Sequence, residues 1–549
     1  MKYRNLFFRG IALLMALGVL VACASTESIP IIQEPEPLVI EPVKDVVQPP
    51  SEQKEVVIVV TANVNGEVVA PGGLSHLASY LKQQNQQERA LFLLEGGNIL
   101  QGSLETYYST YNVEKQPHIV SLVLDALGYD AALSGPRDLE AGFTPFRAVV
   151  SQAHYPYLAA NVVDAKTKEP LLEPYVILKQ KGLTIGVMGL IDPVYAPLVF
   201  GKGVEIQPME EAALHYIDII KEEKPDLMIA LVQTKTAAGS SFASEFDLVF
   251  TLGTAEGEHV VSMPQNGSEF MTVTAAFDQG QLVSLEPQML KAADYPVDQM
   301  FEQRFGQFVT EAQSWGSTII GNLSESISSK EGAFGDSKFV DLIHAVEQKE
   351  TLAPISLASL NAVDTVLHKG PVSIQDLLAF GPFTYPIITM RLSGSEIRSY
   401  LEYSYAQWFN QMRSLDDDLL LFTEDMRANW ELYDSLAGVN YVVDITKGPS
   451  QKISLKTLAQ GGAFSSEQTY EVALSAKRAL GEGGHLKAAG LEGQQILDRM
   501  LRISDTDLLT LLAEEFLQTE ELVPTSDSNW LVIPNLWMQR GMKSSYPKL

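Results

Sequence analysis

Between residues 55 and 254, short β-rich apolar runs alternate with stretches of helical spacing, and that alternation admits few folds. VVIVVTANVNG (56–66) reads as a strand ending in polar residues, and GGLSHLASYLKQQN (72–85) sets Leu74, Leu77 and Leu81 on one helical face. A strand at 90–94, a helix at 118–128, a strand at 129–135, a helix over FTPFRAVVSQA and a strand at 155–161 follow. Strands at 183–192, 226–235 and 246–254 flank and follow a helix over MEEAALHYIDIIKEE. The βαβα rhythm predicts a largely parallel sheet covered by helices. Pro and Gly become commoner over 262–296, and 294–316 has the spacing of an amphipathic connector helix. A second body follows, with helices at 337–349 and 395–411 and strands at 385–392, 440–445 and 469–475.

With 549 residues and a hydrophobic fraction of 46%, the chain has the material for two lobes and a leader. Residues 1–22 carry a basic start (Lys2, Arg4, Arg9) and an apolar run from Ile11 to Ala22, shorter than the roughly 20 residues of a spanning helix. They read as a signal peptide. The sole cysteine, Cys23, follows Leu20, Val21 and Ala22, and this L-V-A-C resembles the bacterial lipobox, whose thiol is lipidated. A single cysteine excludes intrachain disulfides and thiolate metal clusters. Residues 23–54, rich in Pro and Glu, read as a disordered tether holding the body off a membrane. The expected address is the bacterial cell envelope, facing periplasm or exterior. A net charge of -29 argues against a nucleic-acid polymer as partner.

The stretch Leu91 to Ser103, LFLLEGGNILQGS, runs an apolar strand into a Gly-Gly turn that presents Asn98. In open α/β sheets, ligands gather at the carboxyl ends of strands, so this turn is the natural place for a site.

Framework motifs then become legible in order: GGLSHLASYLK, LLEGGNILQGS, ALGYDAALSGPRDLEAG, YLAANVVD with Asn161, and LTIGVMGLID. Later come GPVSIQDLLAFGPFTYPIITMRLSGSEIRSYLE (370–402), LAGVNYVVD (436–444) and YEVALSAKRALGEGGH (470–485). From about Val57 to about Glu520 the chain resembles the 5'-nucleotidase family of two-lobed metallophosphoesterases. The resemblance implies an α/β fold: a metallophosphoesterase-like N-terminal sandwich (55–293), the connector (294–316), and a smaller α+β C-terminal domain (317–549).

It also implies a two-metal site whose ligands this sequence has exchanged. Asn63 and Asn65 stand at the aspartate and histidine of T-N-D-x-H-G, and Asn98 at the bridging aspartate. Pro136 replaces the ligand asparagine of G-N-H-E, and Gln233 the histidine of I-A-L-S-H. The histidines of G-G-H-T-H fall on Gly253 and Ala255, or in the shifted register on Thr254 and Glu256, with His259 a poor substitute nearby. Neutral amides are weak ligands where paired divalent ions need charge. Of the dyad assisting phosphoryl transfer, Arg137 replaces the histidine and Glu140 its aspartate partner. A guanidinium does not deprotonate, so Arg137 cannot shuttle a proton. It either reaches into the vacated site or pairs with Asp138, Glu140 or Glu95, or else points into solvent. With Glu67, those carboxylates could hold one hard cation adventitiously.

In the second body the family's N-G-G-x-x-R reads NAVDTV, without arginine. The ring expected before Gly483 and Gly484 falls on Ala479, and His485 replaces an aspartate. Phe383 is kept, and Trp430 or Tyr433 could supply a second ring, so Asn161, Phe383, Trp430, Tyr433, Gly483 and Gly484 are the candidate ligand contacts. The expectation is a non-catalytic, lipid-anchored binding or scaffold protein, with no cofactor and a small-molecule or protein ligand. The alternative is a divergent phosphoesterase that uses a divalent metal at an atypical site.

Overall fold

In the strand Gln53–Thr61, Val56 to Val60 are all buried, as expected of a strand covered on both faces. It lies parallel to Ala90–Glu95, which continues in parallel to Ala131–Leu133 and Tyr157–Leu158. The computed structural model describes residues 53–548 except 70–72, 88, 113–115, 140–142, 235–240, 254–256, 258, 382 and 423–429. The leader, Cys23 and the tether as far as residue 52 therefore lie outside the described residues, as do Glu140, Thr254, Ala255 and Glu256. Gln53 and Lys54, read as tether, already belong to the first strand.

The other side of that strand adds antiparallel pairs to the largely parallel sheet expected. Glu269–Asp278 pairs with it antiparallel, and Gln281–Lys291 pairs antiparallel with Glu269–Asp278, completing six strands. This hairpin falls in the region read as merely rich in Pro and Gly. Its two-residue loop, Gln279 (φ 53°) and Gly280 (φ 79°), has the positive dihedrals whose twist suits a tight hairpin. A second sheet of five strands, Val260–Ser262, Leu248–Thr251, Leu227–Gln233, Leu183–Ile191 and Tyr175–Gln180, is parallel except for its last pair. The two sheets pack closely at Gly189, where a Cβ would lie 2.6 Å from that of Leu158.

The connector helix is Gln299–Gly316, capped by Asp298, whose carboxylate accepts from Phe301 N at 2.9 Å. It packs on the helix Leu104–Asn112, and a Cβ at Gly316 would lie 2.9 Å from Leu104 Cδ1. The C lobe is built on a five-stranded sheet ordered Asp434–Ala437, Ile355–Ser359, Thr469–Ser475, Pro386–Ser393 and Met500–Asp507. Helices Lys338–Thr351, Gly394–Trp408 and Leu508–Leu517 cover it. The lobes meet where Tyr111 hydrogen-bonds Thr510 and Asp507, and where Lys202 pairs with Asp505.

Candidate functional site

Two adjacent parallel strands end side by side, and their loops lock together. Asn63 N donates to Gly97 O at 2.9 Å, Asn65 N to Asn98 O at 3.0 Å, and Gly96 N to Thr61 O at 2.7 Å. Asn63, Asn65 and Asn98 all hold left-handed backbone, with φ of 54°, 50° and 64°. Asparagine is one of the few residues with a side chain that enters this region at little cost, so the conformation suits the residues present.

The side chains continue the interlocking. Asn98 Nδ2 donates to Asn63 Oδ1 at 2.8 Å, Asn63 Nδ2 to Pro264 O at 2.7 Å, and Asn65 Nδ2 to Asn63 O at 2.8 Å. From the third loop, Arg137 N donates to Asn98 Oδ1 at 3.0 Å and Arg137 Nη1 to Asn65 Oδ1 at 2.9 Å. Gln233 Nε2 donates to Gly96 O from the second sheet. Gly135 permits the closeness, because a Cβ there would sit 2.4 Å from Asn98 Oδ1. Pro136 is buried at the start of the 3-10 turn Pro136–Leu139, and Gly253 is tied through its carbonyl to Ser262 Oγ at 2.9 Å. His259 is exposed.

The carboxylates nearby are occupied. Asp138, 2% exposed, accepts four backbone N–H groups, from Asn98 (2.9 Å), Ile99 (2.8 Å), Leu100 (2.8 Å) and Gly135 (2.7 Å). Burial pushes its carboxyl above the usual range, and the four amides oppose that shift. Glu95 is buried beneath the turn, bonded to Thr61 and to Gly97 N at 3.1 Å, and burial holds its carboxyl well above the usual range. Glu67 is exposed. Arg137 is exposed, joins the cluster through neutral Asn65, and forms an ion pair with neither Asp138 nor Glu95.

In the C lobe, burial separates the candidates. Phe383 is fully buried 5.8 Å from the Phe380 ring, and Tyr433 stacks on Trp408 at 5.1 Å, so both rings are core rather than ligand contacts. In the N lobe Asn161 is likewise spent on the backbone: its Nδ2 donates to Ile191 O (2.6 Å) and Gln207 O (2.8 Å), and its Oδ1 accepts from Ile191 N (2.9 Å). Trp430 does line the cleft between the lobes. Behind it lies an ion pair that the motifs gave no reason to expect. Arg478 donates to Asp434 through Nη2 (2.6 Å) and Nε (2.8 Å), and its Nη2 also reaches Glu431 O at 2.6 Å. Burial favours a neutral Asp434, but the guanidinium and hydrogen bonds outweigh it and hold the carboxyl well below the usual range. Burial pushes His485 down to about 4, so the imidazole is neutral at pH 7 and its Nε2 can donate to Leu432 O at 2.8 Å. Gly483 (φ 75°) makes room: a Cβ there would lie 2.6 Å from Arg478 Nη1. Gly484 (φ 74°) packs near the Tyr403 hydroxyl. Arg478 and His485 thus fix residues 431–432, adjoining Trp430.

Residues 319–490 match the 5'-nucleotidase C-terminal domain model. The C lobe thus carries a 5'-nucleotidase C-terminal domain. It is 21% identical over 561 residues to the 2',3'-cyclic-nucleotide 2'-phosphodiesterase/3'-nucleotidase of Salmonella typhimurium, covering 84% of each chain. Against a Vibrio cholerae 5'-nucleotidase it is 26% identical over 241 residues, 42% of this chain and 40% of that one. Its fold is shared with a Staphylococcus aureus protein assigned as a 5'-nucleotidase, in complex with alpha-ketoglutarate (TM-score 0.67, 15% identity, 87% of this chain and 100% of that one). It is shared also with the NAD nucleotidase of Haemophilus influenzae (TM-score 0.58, 15% identity, 88% and 99%).

Similarity to 5'-nucleotidases raises the question of whether a two-metal centre fits these residues. The donor set does not fit. The positions present amides committed to one another, a proline and a glycine, while both oxygens of Asp138 are taken by backbone amides. The one group of three carboxylates among the described residues close enough to share an ion is Asp336, Asp341 and Asp527, in the C lobe. Between the lobes of this 5'-nucleotidase fold runs a cleft of about 1020 Å³. Gln101, Ser103, Leu104 and Arg137 line it on the N-lobe side, facing Asn361 and Trp430. Gln101 was not singled out from sequence, although it stands in the Q-G-S of the turn motif.

Proposed function

We propose that this chain is a non-catalytic 5'-nucleotidase-family protein, lipid-anchored in the bacterial cell envelope, that binds a small ligand in its interlobe cleft. The observation carrying this reading is the interlocked set of Asn63, Asn65, Asn98 and Arg137, in which each amide at a ligand position already has a protein partner. Moving phosphoryl groups by a two-metal mechanism requires anionic ligands that bridge and hold both ions. An amide network of this kind instead ties three loops together, and its Arg137 reaches the lining of the cleft. The L-V-A-C sequence at Cys23 supports the anchor, and the acidic net charge of -29 supports a partner other than nucleic-acid polymer.

The second reading, a divergent phosphoesterase, draws support from relatives whose names are those of nucleotide phosphodiesterases and nucleotidases. Purification with added manganese or zinc separates the two readings. Metal analysis is expected to find less than stoichiometric metal, and 4-nitrophenyl phosphate is expected to survive incubation. Stoichiometric metal together with turnover lost in Asn98→Ala would establish the phosphoesterase instead.

A further inference from the structure

Among the described residues, the N-lobe side of the cleft is formed by Gln101, Gly102, Ser103, Leu104, Tyr107 and Arg137, and its one charged group is the guanidinium. That guanidinium is exposed and bonded to a neutral amide oxygen, so its charge is uncompensated by any carboxylate among the described residues. Opposite, the C-lobe side mixes both signs, with Asp364 and Glu431 against Lys477 and Lys548. In a chain of net charge -29, a wall whose one charge among the described residues is positive is set apart from its surroundings.

Two further features converge on the same wall. Gln101 is 5% exposed, and neither its Nε2 nor its Oε1 has a hydrogen-bond partner among the described residues. Burying a carboxamide with neither end satisfied is costly, so such a side chain calls for a partner. The helix Leu104–Asn112 begins at the cleft, and its first N–H groups have no acceptor within the helix. Ser103 Oγ caps that of Thr106 at 3.2 Å. A helix amino end, a guanidinium and a carboxamide donor together favour a planar or tetrahedral oxyanion.

We infer that Arg137, Gln101 and the amino end of the helix Leu104–Asn112 form a metal-independent subsite for the anionic group of a small organic ligand, a phosphate or a carboxylate. The inference rests on the non-catalytic reading above, because the guanidinium supplies the charge that metal ions would otherwise supply. Trp430, across the cleft, offers the apolar face against which the rest of such a ligand would lie.

Calorimetric titration of the full chain, stripped of metal on chelating resin, tests this with two probes, orthophosphate and succinate. At least one is expected to bind, and the one that does identifies the anion class. Arg137→Ala should weaken that binding at least tenfold, Arg137→Lys should restore part of it, and Gln101→Leu should weaken it several-fold. Arg137 is exposed and its variants lose only the side-chain hydrogen bond to Asn65, so they should stay folded with a small drop in unfolding temperature, separating lost binding from lost structure. Failure of both probes, or wild-type affinity in Arg137→Ala, overturns the subsite and leaves the non-catalytic reading standing. Binding that appears only with added manganese, accompanied by hydrolysis of 4-nitrophenyl phosphate, overturns both.

Discussion

Asn98 and Asn63, each in left-handed backbone on a separate strand-end loop, face one another through a 2.8 Å hydrogen bond from Asn98 Nδ2 to Asn63 Oδ1. The other end of the Asn98 amide accepts from Arg137 N at 3.0 Å, so both of its atoms are committed and its orientation is fixed by its partners.

Placing aspartate at position 98 should therefore not create a metal site. In Asn98→Asp the oxygen replacing Nδ2 would oppose Asn63 Oδ1, and the new charge would lie beside buried Asp138. A loss of about 1–3 kcal/mol is expected in urea unfolding at pH 7, with no stoichiometric manganese binding by calorimetry.

Asp138 holds the turn from below by accepting four backbone amides. Asparagine at that position has one accepting oxygen and sets an amide donor against donors. Asp138→Asn should cost about 3 kcal/mol, read as a lowered denaturation midpoint, since hydrogen bonds to charged groups are the strong ones.

Arg478 and Asp434 are both buried and should be energetically coupled. Arg478→Met alone leaves the carboxylate stranded and should cost about 3–5 kcal/mol. The double variant with Asp434→Leu should recover much of that loss, and a double-mutant cycle measures the coupling.

Burial raises Glu347 from 4.5 to about 8, and one of its oxygens accepts from Ser356 Oγ at 2.6 Å. Native Glu347 therefore keeps its proton at pH 7 while the unfolded chain releases it. With the folded pKa raised, the native state binds more protons between the two values, so stability is fully present below about pH 4.5 and is lost as pH rises towards 8. The contribution of this group falls by roughly 1.4 kcal/mol per pH unit in that window. Glu347→Gln should flatten the slope in stability measured by urea unfolding from pH 5 to pH 8.

Cys23→Ser should move the protein from the membrane fraction to the soluble fraction of a bacterial host, and remove the mass of the lipid from its amino terminus. Membrane retention of the variant would refute the lipobox reading.

Much of the N lobe was legible because local periodicity reports backbone geometry. Helices read at 72–85 and 118–128 are Leu74–Gln84 and Ile119–Leu127, and the strand read at 183–192 is Leu183–Ile191. The hairpin Glu269–Lys291 is hard to read from sequence because a Gln-Gly loop is a weaker turn signal than Asn-Gly, and a proline such as Pro287 is uncommon within a strand. Phe383 and Tyr433 went astray for another reason: an aromatic near a motif has the same sequence signal whether it faces the cleft or the core.

By itself the sequence determined most of the N-lobe elements, the turn that presents Asn98, and the uncharged character of Asn63, Asn65, Asn98, Pro136 and Gln233. Only the tertiary structure decided what those residues do. Asn98 meets Asn63 across 35 positions, and Asn63 meets Pro264 across 201, contacts set by how the loops of two sheets converge. A backbone's periodicity is local, but the partner of a buried amide is whatever the fold brings within 3 Å, and only the fold showed that these amides bind one another.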